Sequence, residues 1–143
     1  MLKDANHDYL LISYREDLDV LFLRWRTPVS SAELRAGYAE ALAKAESTKA
    51  RFWLFDLRSR GAASPEDEAW LLDSFFRQAE EKLKHDHSFA YLVSPTHYNS
   101  IRKTVGLERL AHFSQLTQIR PYTSEKEALH WLSQRRQALQ QPA

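Results

Sequence analysis

Asp56, Arg58, Ser59 and Arg60 crowd a carboxylate, a hydroxyl and two guanidiniums into one short stretch. Helix N-termini capped by Ser30, Ser64 and Ser124 open on the same sheet edge and attract anions, so Arg58 and Arg60 read as an anion or phosphate site. The acids Glu66, Asp67 and Glu68 follow closely and are equally suited to pair with them, so both readings stand. Asp56, His97 and a serine are the parts of a hydrolase triad, yet no Gly-x-Ser-x-Gly elbow exposes a nucleophile, and no catalytic residue is assigned. His85-Asp86-His87 sets two imidazoles where one metal could meet both, but a third ligand cannot be named. A polar loop after a helix end suits the same residues, and no metal or other cofactor is expected. Zero cysteines remove disulfides, thiol nucleophiles and thiolate metal sites, and three glycines leave no Gly-rich phosphate loop.

These residues need elements to place them. Residues 9–14 and 20–26 are rich in aromatic and branched side chains and read as two strands. Their short connection permits only an antiparallel hairpin. Ser30-Ser31-Ala32-Glu33 is a capping box opening an amphipathic helix to about residue 46, with Leu34, Tyr38, Ala41, Leu42 and Ala45 on one face. Residues 51–57 form a nearly continuous apolar run, as expected of a central strand covered on both faces, and they end beside Asp56. Ser64-Pro65-Glu66-Asp67 has the N-cap, first-turn proline and acids of a helix start. Its stripe is Ala69, Leu72, Phe76, Ala79 and Leu83. Residues 89–93 are another buried strand, 98–111 a weaker helix, and 116–120 a last strand stopped by Pro121. A second Ser-x-x-Glu box at Ser124 opens a closing helix with Ala128, Trp131, Leu132 and Leu139. The result is one α/β domain over residues 1–143, with an ordered core of about 9–137. Its five-stranded mixed sheet has an N-terminal antiparallel hairpin followed by mostly parallel βα units, with four helices. Ligands of such sheets gather beyond the carboxyl ends of the strands, where Asp56, Arg58, Ser59, Arg60 and His97 fall.

The opening hairpin, the central strand Phe52-Trp53-Leu54-Phe55-Asp56 running into a loop and capped helix, and the closing Glu127-Ala128-Leu129-His130-Trp131-Leu132 helix resemble the STAS domain. This is the fold of sporulation anti-sigma-factor antagonists (SpoIIAA-like), loosely shared by the CRAL-TRIO lipid-transfer domains. The resemblance covers roughly residues 9–137. It implies a non-enzymatic regulatory or protein-interaction module. In regulatory STAS domains an Asp-Ser-Ser/Thr-Gly-like motif after the central strand is phosphorylated on serine by a kinase partner. Here Asp56-Leu57-Arg58-Ser59-Arg60-Gly61 keeps the aspartate, a serine and the glycine at a different spacing, with two arginines between them. Ser59 and Ser64 are the serines this implies as phosphosites. The lipid-transfer relatives imply the alternative, a small apolar or anionic ligand bound at the carboxyl edge of the strands.

Composition narrows the partners. With 20 Lys+Arg against 19 Asp+Glu and a net charge of +1, no basic surface argues for nucleic acid or an anionic membrane. No apolar run approaches the ~20 residues of a membrane span, and the first eight residues carry acids where a signal peptide is apolar. A cytoplasmic protein is expected. Trp70, Leu71 and Phe75 make the second helix more apolar than a single core stripe requires. They are the candidate patch for a protein partner or a homodimer.

Overall fold

The computed structural model describes residues 5–140, and the outermost residues of the opening and closing stretches lie outside them. The chain enters on a two-residue strand, β1 (Ala5–Asn6), and continues through β2 (Leu10–Arg15) and β3 (Val20–Trp25). Both of these pairings are antiparallel. Helix α1 (Ser31–Thr48) then leads to the central strand β4 (Phe52–Asp56). Next come α2 (Pro65–Trp70), a π-helical turn (Leu71–Phe75) and α3 (Phe76–Leu83), followed by β5 (His87–Leu92). Two short helices, α4 (Pro95–Thr104) and α5 (Leu107–Ala111), precede β6 (Thr117–Tyr122) and the closing helix α6 (Glu125–Gln140). The sheet order is β1-β2-β3-β4-β5-β6, with β3 to β6 parallel. The α/β class and mixed sheet are those expected, with β1 added at the hairpin edge.

Every crossover advances one strand in the same direction, so the crossover helices fall on one face. There Leu21, Leu23, Trp53, Phe55, Phe89, Tyr91 and Ile119 of the sheet meet Leu34, Tyr38 and Ala41 of α1, with Phe75 and Phe76 beyond. The opposite face buries Val20, Phe22, Phe52, Leu54, Ala90 and Leu92 under Ala128, Trp131 and Leu132 of α6. Apolar residues on both parities of β3, β4 and β5 follow from this double cover.

Local chemistry explains most helix ends. Ser30 Oγ accepts the Glu33 N–H at 3.2 Å, and Glu33 Oε1 accepts the Ser30 N–H at 2.9 Å, completing the capping box. Ser64, Ser94 and Ser124 each accept an N–H three residues on. Three expectations are corrected. The single helix over 98–111 is two, because Gly106 takes φ +91° and interrupts the turn. The last strand does not stop at Pro121. Val93 N–H donates to Tyr122 C=O at 2.9 Å, so Pro121, one position back, turns its missing N–H to the open edge. The stripe of the second helix also differs. The π turn adds a residue per turn and brings Leu71 and Phe75, each 2 % exposed, onto the face that packs with Phe76 and Ala79. Leu71 and Phe75 therefore form no surface patch. Trp70 is half-buried against Tyr38 and Phe75, with the Arg35 guanidinium 5.1 Å above its ring.

Candidate functional site

Asp56 is the last residue of β4, and β3 and β4 run in a register that sets Arg24 directly across from it. Asp56 Oδ1 accepts from the Arg58 amide at 3.2 Å and from Arg58 Nε at 3.0 Å. Oδ2 accepts from Arg58 Nη2 at 2.9 Å and Arg24 Nη1 at 3.0 Å. Arg24 Nη1 also donates to Glu125 Oε1 at 2.7 Å, in the first turn of α6. Burial alone would raise the Asp56 pKa, but its bonds from Arg58 and Arg24 outweigh that and hold the carboxyl below its ordinary value. The group is a four-residue brace joining β3, β4 and α6. The acids expected to pair with Arg58 do not, because Asp56 lies nearer in the fold.

Arg60 turns to the other face of the sheet. It is 8 % exposed, donates from Nη1 to the Tyr38 hydroxyl at 3.0 Å and from Nε to Gly61 C=O at 3.3 Å. Its guanidinium carbon lies 5.3 Å from the centre of the Trp25 ring. Among the described residues no carboxylate forms an ion pair with it. Glu68 feels its charge, yet burial is the larger influence and raises the Glu68 pKa. Tyr91 stands among the same groups, and burial first, then the charges of Tyr38 and Glu68, lift its pKa well above the ordinary value. His97, in the first turn of α4, has its pKa lowered by burial and by Arg60, and its buried Nδ1 has no partner among the described residues.

The carboxyl edge thus carries two separate polar groups. Asp56 and Arg58 belong to the α6 face, whereas Arg60 and His97 belong to the face of the crossover helices. Ser59 is exposed in the loop between them, and Ser64 is exposed at the cap of α2. Asp56 spends its oxygens on arginines and not on His97, so the parts of a triad are not assembled. His85 and His87 have ring centres 4.7 Å apart. His87 is 1 % exposed, and among the described residues both its nitrogens lack a partner and no group of three His, Cys, Asp or Glu could hold a metal.

Beside Arg60 opens a cleft of about 230 Å³ between the β3–α1 connection and the β4–α2 loop. Ser31, Arg60, Ala63, Ser64 and Asp67 line it. Asp67 is 5 % exposed; its Oδ2 accepts from Ser31 Oγ at 2.8 Å, and its buried Oδ1 has Arg35 Nε at 3.7 Å and accepts no hydrogen bond among the described residues. The sequence reads Tyr38 and Tyr91 as core, and Asp67 and Glu68 as a helix start able to pair with the loop arginines, so it does not mark them as site residues. Arg24 carried a readable signal, a charge interrupting an apolar strand one step before its end. No family model, curated protein or solved structure matches the chain.

Proposed function

We propose that the chain is a STAS-like regulatory module, cytoplasmic and non-enzymatic, that acts through protein contact at the loop between β4 and α2. The observation that carries this reading is how that loop is presented. Asp56 with Arg58 anchors its start, and Arg60 reaches under it to Tyr38. Ser59, Ala62, Ser64, Pro65 and Glu66 are left exposed on top. A braced loop with outward serines suits recognition by a partner that reads or modifies it, which is the role the STAS resemblance implies. Phosphate on Ser64 would meet the positive end of α2, while the first-turn acids Glu66, Asp67 and Glu68 would oppose it. Phosphate on Ser59 would sit next to Arg58 in sequence.

Intact-mass and peptide mapping of protein purified from its native host tests this. A phosphate adduct on Ser59 or Ser64 is expected. Protein that carries no phosphate under any growth condition, and whose Ser59→Asp and Ser64→Asp variants retain every contact of the native chain, would overturn it. The cleft beside Arg60 favours a second reading, a small charged ligand at the carboxyl edge. No helix among the described residues is long and apolar enough to cross a membrane.

A further inference from the structure

The π turn and the helix break at Gly106 face each other across a cleft in the layer of crossover helices. Leu72 and Asp73 of the π turn line one wall with Arg77 and Glu80 of α3, and Val105 and Arg109, on either side of Gly106, line the other. Turns of the π type recur at functional sites. The floor is apolar. Leu72, Val105 and Phe113 are half-buried there, packed against the core and open to the cleft. The rim is charged. Arg77 and Arg109 are exposed, and among the described residues neither side chain makes a hydrogen bond, ion pair or ring contact. Two acids share the lining. Glu80 is already engaged, accepting from the hydroxyls of Ser114 and Thr117. Asp73, exposed on the π turn, is the lining carboxylate without such donors among the described residues.

We propose that this cleft binds a small organic carboxylate with an apolar body, its charge held between Arg77 and Arg109 and its body laid against Leu72, Val105 and Phe113. A guanidinium fork matches a carboxylate and sheds water more readily than an ammonium, so two forks on facing walls can close on one oxyanion. An apolar floor with a few polar groups to fix orientation is the ordinary make-up of a ligand pocket. A bare inorganic anion would leave that floor in water, and an uncharged apolar molecule would leave both guanidiniums unmet. Asp73 repels the ligand's charge, and two guanidiniums outweigh one carboxylate. The cleft shares no lining residue with the one beside Arg60, so the site stands or falls apart from the protein-contact reading of the β4–α2 loop.

The test is calorimetric titration of the full chain at neutral pH with hexanoate and phenylacetate, beside acetate and hexanol. At least one of the first two is expected to bind more tightly than either control by about tenfold or more, since acetate lacks the apolar body and hexanol the charge. Arg77→Gln and Arg109→Gln, both at exposed positions, should each weaken binding by about tenfold while circular dichroism stays native. Asp73→Asn should tighten it, a gain that loss of structure cannot mimic. Acetate or hexanol binding as tightly as hexanoate and phenylacetate overturns the amphipathic ligand. Binding that neither arginine variant weakens, or that Asp73→Asn fails to tighten, places the ligand elsewhere and overturns the site. No binding by any compound at about 10 mM overturns the proposal as a whole.

Discussion

His87 shows how far one interior side chain can govern the response to acid. Its imidazole is stacked on Phe89 at 5.6 Å and, among the described residues, has no hydrogen-bond partner at either nitrogen. Burial, with His85 and Arg51 nearby, pushes its pKa down to about 3. In the unfolded chain the same group takes a proton near pH 6.5. Its folded pKa is depressed, so the unfolded state binds more protons below that value, and stability falls as pH drops from 6.5 toward 3. The full shift corresponds to no more than ~5 kcal/mol. Asp56 acts in a lower window, since its depressed carboxyl gives up stability only as pH falls below the ordinary carboxylate range. His87→Phe should therefore leave stability at pH 7 unchanged or higher and flatten the decline between pH 6.5 and 4, read by urea unfolding at each pH. An unchanged slope would show that His87 is not the group responsible. The pairing of Asp56 with Arg58 was legible because the two are neighbours in sequence. Arg24 and Glu125 were not, since they stand 32 and 101 positions from their partners and meet only through the register of β3 with β4 and the return of α6. The unpartnered state of His87 was equally hidden, because a loop reading gave it water that a strand start does not.

At the scale of elements, starts were readable and faces were not. Serine caps act within four residues, and each capping serine accepts the N–H it was expected to accept. The face of the second helix depends on what it must cover. The π turn and the helix after it set Phe75 edge-on to Trp53 and Phe76 against Phe89, contacts that no helical period encodes. Helix α1 shows the same tertiary demand in reverse. Gly37 is a poor helix former, yet a methyl group there would lie 2.6 Å from Trp25 Cη2 and 2.8 Å from Leu10 Cδ2, both in the packed core. Gly37→Ala gains about 1 kcal/mol of helix propensity and meets an overpacking cost of about 1–3 kcal/mol. The second effect wins where the neighbours cannot move, and Trp25 is held between Tyr38 and the Arg60 guanidinium. The expected outcome is a net loss of about 1 kcal/mol in urea unfolding. A more stable variant would mean that α1 can ride away from β2 and β3 without penalty.

Among its described residues the whole molecule is lopsided: the crossover helices share one face of the sheet, and α6 alone of the described elements covers the other. That helix is tied on by Arg24 to Glu125 at one end, and by Arg136 donating to Asp17 C=O at 3.2 Å nearer its other end. Between these ties Trp131 and Leu132 cap Phe22, Leu54 and Leu92. Since a domain of this size is stable by only about 5–15 kcal/mol, losing a buried tryptophan contact of about 3–5 kcal/mol is a large fraction of the total. Trp131→Ala should thus leave a folded protein with a much lower urea midpoint. Removing residues 124–143 goes further, for it uncovers the inward residues of three adjacent strands at once. The hydrophobic face that remains has no second helix to take over, and the brace around Asp56 loses Glu125 as well. The truncated chain is expected to bind a hydrophobic dye, to lose its near-ultraviolet dichroism, and to unfold without a cooperative midpoint. If it instead unfolds cooperatively at the midpoint of the full chain, the α6 face contributes nothing to stability. The stability of β3, β4 and β5 would then rest on the face of the crossover helices alone.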